Sequence, residues 1–172
     1  IVPKNQLIEL TKGSLSLGNL VVESFGVSHD AADPIGINVY AGNDKATVVT
    51  DTGVISESIL RRMDDTTLLV LEANYDPHML RFGPYQPFLK QRVAGDEGHL
   101  SNEMAARALL MMNRPDFMQV ILAHRSENNN NAVLVTQTIW KMLVDSGVRI
   151  GPEMKLQHGQ PNEIVSMQSV KR

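Results

Sequence analysis

The chain has 172 residues, which suits one domain, and its 42% hydrophobic and 20% charged residues supply a core and exclude a disordered tail. A formal charge of −3 excludes a surface that wraps nucleic acid by electrostatics alone, but not an enzyme that grips phosphate locally. Cysteine is absent, which rules out disulfides, thiolate metal sites and a cysteine nucleophile and fits a reducing cytoplasm; any metal site has to use His, Asp and Glu.

No apolar run reaches the ~20 residues needed to cross a bilayer. Ile1-Val2-Pro3-Lys4 lacks a signal-peptide pattern and an initiator Met. The expectation is a chain that was trimmed or that starts inside a longer gene product.

Leu20 to Phe25 and Ile35 to Tyr40 read as strands. Ala41 to Lys45 has turn chemistry, and Ala46 to Thr50 completes a hairpin. A short helix is expected near Ser56 to Met63. Thr67 to Leu71 is a continuous apolar run, as in a strand buried on both faces. A Pro/Gly-rich stretch follows, from Pro77 to Pro87. Ser101 opens a helix through Asn113, with Met104, Ala105, Ala108, Leu109 and Met112 on one face. Phe117 to Ala123 is again a buried strand. The four-Asn run, 128–131, reads as a loop and cap for a helix to Asp145, ended by Gly147. Glu163 to Met167 is a candidate last strand. Antiparallel strands followed by β-α alternation predict an α/β (α+β) fold with a mixed sheet and helices on one side.

Three of the five histidines sit where chemistry is usually placed. His29 follows a strand, Asp51 terminates the hairpin, and His124 ends a buried strand. The sheet fixes such strand-end residues while the loops keep them accessible. Two imidazoles and a carboxylate suit zinc or manganese, and a carboxylate can bridge two ions ~4 Å apart. Taken singly, each is also an ordinary strand-end residue. His78, at a helix start, and His158, in a loop, are set aside.

The combination resembles a known family. His29-Asp30-Ala31-Ala32-Asp33-Pro34-Ile35-Gly36, Thr50-Asp51-Thr52-Gly53 and Leu122-Ala123-His124 look like the third, fourth and fifth metal motifs of the metallo-β-lactamase superfamily. Leu71-Glu72-Ala73-Asn74-Tyr75-Asp76 and Gly98-His99-Leu100-Ser101-Asn102-Glu103 are similar to its YycJ/WalJ branch, bacterial cytoplasmic hydrolases described as DNA exonucleases. The resemblance implies two divalent metal ions, with His29 on the first, His124 on the second and Asp51 bridging both. It implies that His99 protonates the leaving oxygen, while Glu72, Asp30 and Asp33 orient site residues from behind. A nucleic acid substrate is expected, with a small ester or cyclic phosphate as the alternative.

The superfamily's His-x-His-x-Asp-His signature is absent; no histidine precedes His29. Residues 1–172 are therefore expected to be one domain, the C-terminal half of an αββα sandwich. One sheet face should lie bare. Such a face asks for the missing half or a second copy in a homo-oligomer, and the chain alone is expected to be catalytically incomplete, acting only by binding.

Overall fold

A computed structural model describes residues 13–160, together with Pro3, Leu10 and residues 164–166. Seven strands form one mixed sheet in sequence order. β1 (Ser14–Leu17), β2 (Leu20–Gly26), β3 (Ile35–Ala41) and β4 (Asp44–Val49) are antiparallel neighbours. β5 (Leu68–Glu72), β6 (Met118–Ala123) and β7 (Met154–His158) continue the sheet in parallel from β4. The crossovers carry α1 (Glu57–Met63), α2 (Pro77–Phe82), α3 (Pro87–Ala94), α4 (Asn102–Met111) and α5 (Ala132–Asp145). None of these helices is long and apolar enough to cross a membrane.

Alternation along the strands sorts the two faces of the sheet. Val49, Leu69, Leu71, Val120 and Leu122 are buried against Ile59 and Met63 of α1, Leu109 of α4, and Ile139 and Leu143 of α5. Each fully buried side chain of this kind stabilises the fold by roughly 2 kcal/mol. On the opposite face, Ile37, Val48, Val70, Ile121 and Gln157 form one row across five strands. Val48 is 37% exposed and its row neighbours are half-buried, so among the described residues this face is less covered than the helix-bearing one.

The helix starts follow local chemistry. Ser56, Asp76, Ser101 and Asn131 each accept a hydrogen bond from a backbone N–H in the first turn of α1, α2, α4 and α5. Gly147, at φ +88°, closes the end of α5. Pro77 and Pro87 open α2 and α3, the first at the helix start expected beside His78, because a proline at the first helical position has no N–H to waste. Several expectations need correction. His158 lies in β7 rather than a loop, its Nε2 2.8 Å from Thr136 Oγ1. β1 and β7 were not anticipated, and α4 stops at Met111 rather than Asn113. The strand expected from Glu163 to Met167 begins and ends outside the described residues.

α2 and α3 form a lobe with its own small core, where Tyr75, Leu80 and Val93 pack with Tyr85 and Leu89. The lobe is inserted between Glu72 and His99. A second local unit ties α1 to the sheet through buried polar groups. Thr47 Oγ1 donates to Asn38 Oδ1 at 2.8 Å and meets Thr66 Oγ1 at 2.7 Å, and Asn38 Nδ2 donates to the Arg62 carbonyl. Glu23 pairs with Arg62 and accepts from Tyr40 Oη at 3.0 Å.

Partial burial raises the Glu23 pKa, but hydrogen bonds from Arg62, Tyr40 and Asn38 outweigh it and hold the carboxyl below its usual value of 4.5. A depressed carboxyl pKa adds stability that is present above the unfolded value and lost as pH falls through the folded one. The stability gap between the parent and Glu23→Gln should therefore be full at pH 6 and shrink below about pH 4.5 in urea melts. A gap that is flat with pH would refute the assignment.

Candidate metal centre

β4, β5 and β6 run parallel with Val49, Leu71 and Leu122 in register. Their carboxyl ends therefore lie level, which sets Asp51, Glu72 and His124 side by side. Asp51 and His124 adopt φ of +55° and +52°, the left-handed region that L residues rarely occupy. Such a turn costs on the order of 1–3 kcal/mol and swings each side chain off the end of its strand. Close packing explains two neighbouring glycines. A Cβ at Gly53 would meet Gly95 O at 2.3 Å, and one at Gly98 would meet Arg92 O at 2.2 Å. The Asp51 turn and the end of α3 thus touch backbone to backbone. Gly53 N also donates to Ser28 O at 2.9 Å, which brings the His29 loop to the same place.

Glu72 is fully buried at the end of β5. Its Oε1 accepts from Nδ1 of both His99 and His124 at 2.7 Å, and its Oε2 accepts from the backbone N–H of Thr52 and of Leu100 at 3.1 and 3.2 Å. Burial alone would raise its pKa, but the hydrogen bonds from His124 and His99 prevail and keep it below the usual carboxylate value. His124 is raised in turn, chiefly by the Glu72 bond, against burial. His29 places Nδ1 3.0 Å from the Gly98 carbonyl.

All three imidazoles therefore have Nδ1 engaged by an acceptor and present Nε2. The His99 ring centroid is 5.1 Å from that of His29 and 5.1 Å from that of His124. Asp51 Oδ1 lies 3.7 Å from His29 Nε2 and 3.6 Å from His124 Nε2. Both separations are too long for a hydrogen bond. They suit two ligands of one ion, since donors ~2.1 Å from a tetrahedral metal stand about 3.4 Å apart. His29, Asp51 and His99 form one group of potential ligand atoms within 4.8 Å of one another, and Glu72, His99 and His124 form a second. Neutral imidazole nitrogens and a shared carboxylate fit divalent cations.

The other expected supports divide. Asp30 ion-pairs with Arg92, with its Oδ1 3.6 Å from His29 Nε2. Asp33 is exposed on the same loop and belongs to neither ligand group. Some contributors escaped the sequence reading. Asn74 Nδ2 donates to the His124 carbonyl at 2.7 Å, and Asn130 Nδ2 donates to the carbonyls of Ala73 and Asn74. The four-Asn run is thus more than a loop and cap: Asn129 and Asn130 are both buried, Asn130 bracing the end of β5 and the Asn129 carbonyl accepting from Asp76 N–H at the start of α2. The only sequence signal was the density of asparagine itself. The site opens into a cavity of about 390 Å³ lined by His29, His99 and His124 on one side and by Tyr85, Arg92 and Ser126 on another.

Residues 3–124 match the family model described as "Beta-lactamase superfamily domain". The chain is 32% identical over 170 residues to the protein named Exodeoxyribonuclease YycJ of Bacillus anthracis, covering 98% of this chain and 64% of that one. It is 33% identical over 147 residues to Exodeoxyribonuclease WalJ of Streptococcus pneumoniae serotype 2, covering 86% and 55%. The metallo-β-lactamase fold protein YhfI from Bacillus subtilis superimposes with a TM-score of 0.59 at 12% identity, over 87% of this chain and 50% of its own. The chain thus spans less than two thirds of the curated relatives it matches. Its fold, its level strand ends bearing His and Asp, and these likenesses agree: the chain belongs to the metallo-β-lactamase superfamily and is YycJ/WalJ-like, in a fold that implies divalent metal ions.

Proposed function

We propose that this chain carries the C-terminal half of a two-metal phosphodiesterase that removes nucleotides from the ends of nucleic acid. The observation that supports it most is the convergence of two Nε2 atoms on Asp51, whose Oδ1 stands almost equidistant from His29 and His124. In this reading His29 and His124 would each hold an ion, with Asp51 as the carboxylate shared between them. Zinc and manganese both accept this donor set. Divalent ions, when bound, supply a Lewis acid and an activated water. His99 presents Nε2 to the same space and protonates the leaving oxygen. Glu72 accepts the Nδ1–H of His99 and so turns Nε2 to the cavity; the proton given to the leaving oxygen is the Nε2 proton of the imidazolium, which leaves the neutral ring with its Nδ1 proton still on Glu72. The exonuclease names of the relatives support nucleic acid as substrate, DNA before RNA.

Two protein donors per ion make a weak site. We therefore place the remaining ligands, and the cover for the sheet face carrying Val48 and Val70, in sequence outside these residues. The chain alone is catalytically incomplete in this reading.

In the full-length protein, His99→Ala should lower turnover of a labelled DNA strand by about 10²–10⁴-fold with metal content unchanged. Full activity in that variant would remove His99 from the mechanism. Treatment with a chelator should abolish turnover, and zinc or manganese should restore it; the same assay with RNA and with bis(p-nitrophenyl) phosphate separates a nuclease from a small-diester hydrolase. Glu72→Gln cannot accept from two imidazoles and two amides at once. It should weaken metal binding about 10–100-fold and destabilise the fold by roughly 3 kcal/mol. Wild-type metal affinity, measured by competition with a chromogenic chelator, would leave Glu72 without a positioning role.

A further inference from the structure

Within the lobe between Glu72 and His99, which is neutral because Asp76, Asp96 and Glu97 flank its helices, the helical part itself stands out in charge and in aromatic content. From Pro77 to Gly95 it holds Arg81, Lys90 and Arg92 and no Asp or Glu, in a chain whose formal charge is −3. It also holds three of the eight aromatic residues, Phe82, Tyr85 and Phe88, within seven positions. The lobe's own core uses Tyr85 but neither phenylalanine. Phe82 is 67% exposed and Phe88 71% exposed, whereas Phe25, in the main core, is 6% exposed. An isolated exposed apolar residue is ordinary; two phenylalanines on one small cationic lobe are not accounted for by folding.

The lobe that carries them borders the metal centre, with both phenylalanines outside the cavity lining itself. Tyr85, Leu89 and Arg92 line the cavity that His29, His99 and His124 also line. Phe88 lies four residues before Arg92 in α3, which places the two on one side of that helix. Phe82 ends α2 with the Arg81 guanidinium 5.4 Å from its ring centroid. Tyr85 Oη accepts from Asn128, which anchors the lobe across the cavity mouth. Aromatic faces interleaved with cations are what successive unpaired bases and their phosphates require. Stacking holds the bases whatever their sequence, and the cations follow the backbone. Paired bases are already stacked on each other and offer no free face.

We propose that Phe82 and Phe88, with Arg81 and Lys90, form a stacking platform that binds single-stranded nucleic acid and leads its end into the metal centre. The proposal rests on the phosphodiesterase reading for the destination of the strand, but the binding itself needs no metal.

The test is fluorescence anisotropy on the full-length protein in chelator, so that nothing is hydrolysed. The probes are a 20-nucleotide oligothymidylate, the same length of abasic oligonucleotide, and a blunt duplex. The parent should bind oligothymidylate more tightly than either other probe. Phe82→Ala and Phe88→Ala should each weaken oligothymidylate on the order of tenfold, the double variant should bind the base-bearing and abasic strands alike, and Phe→Trp at either position should retain the preference. Melting temperatures of the variants check that the fold survives. Equal affinity of the parent for oligothymidylate and the abasic strand would overturn the platform, and so would undiminished binding by the double variant. A parent that binds no strand but sediments as a phenylalanine-dependent dimer would reassign the surface to self-association. Hydrolysis of bis(p-nitrophenyl) phosphate by the parent, measured separately with metal, tests the phosphodiesterase reading; it can succeed while the platform fails, and the platform can hold while it fails.

Discussion

A single buried carboxylate organises this end of the sheet. Glu72 has no contact with solvent, and a charge placed there without partners would be prohibitively costly. Four N–H groups from three separate segments meet that cost: Thr52 after β4, His99 and Leu100 after the helical lobe, and His124 after β6. Each of those segments carries, within one residue, a proposed metal ligand or proton donor. The interaction that satisfies the charge therefore also assembles the site. It selects the tautomer as well, because an acceptor on Nδ1 leaves only Nε2 to face the cavity.

The sheet makes that assembly possible. Parallel neighbours end at the same level, and the register of Val49, Leu71 and Leu122 brings three strand ends to one place without any long reach. The left-handed turns at Asp51 and His124 then carry their side chains clear of the sheet. Aspartate tolerates that region better than most residues; histidine does so less often, and here its carbonyl is held by Asn74. Burial of Leu69, Leu71 and Val120 beneath α4 and α5 supplies the rigidity against which these turns are maintained.

Much of this was legible in the residues. The runs ending at Glu72 and Ala123 announced buried strands by their unbroken apolar character, and Ser56, Ser101 and Asn131 announced helix starts. The placement of His29, Asp51 and His124 at strand ends followed from the same pattern. What was not legible has physical reasons. Pro87 looks like a breaker, yet at the first turn it begins α3. β7 alternates Met, Leu and His with Lys and Gln at a sheet edge, a pattern with little contrast. The sharing of Glu72 by two histidines 25 positions apart is a property of tertiary structure alone, as is the bracing role of Asn130. Asp30 and Asp33 were drawn to the site by motif position; Asp30 is drawn off by Arg92, and Asp33 faces outward.

The helical lobe enters and leaves the sheet through a clasp. Asn74 and Tyr75 on the way in are hydrogen-bonded to Leu100 on the way out, and Asn102 returns a bond to Tyr75. The clasp and Glu72 close the loop behind the lobe, and the lobe has its own apolar cluster, but the end of α3 is packed backbone to backbone on the Asp51 turn and Arg92 is paired with Asp30 beside His29. The lobe is therefore soldered to the reacting groups at its far end and leans on them least around α2: a change of length or surface there leaves the strand ends where they are, whereas one at the end of α3 displaces them.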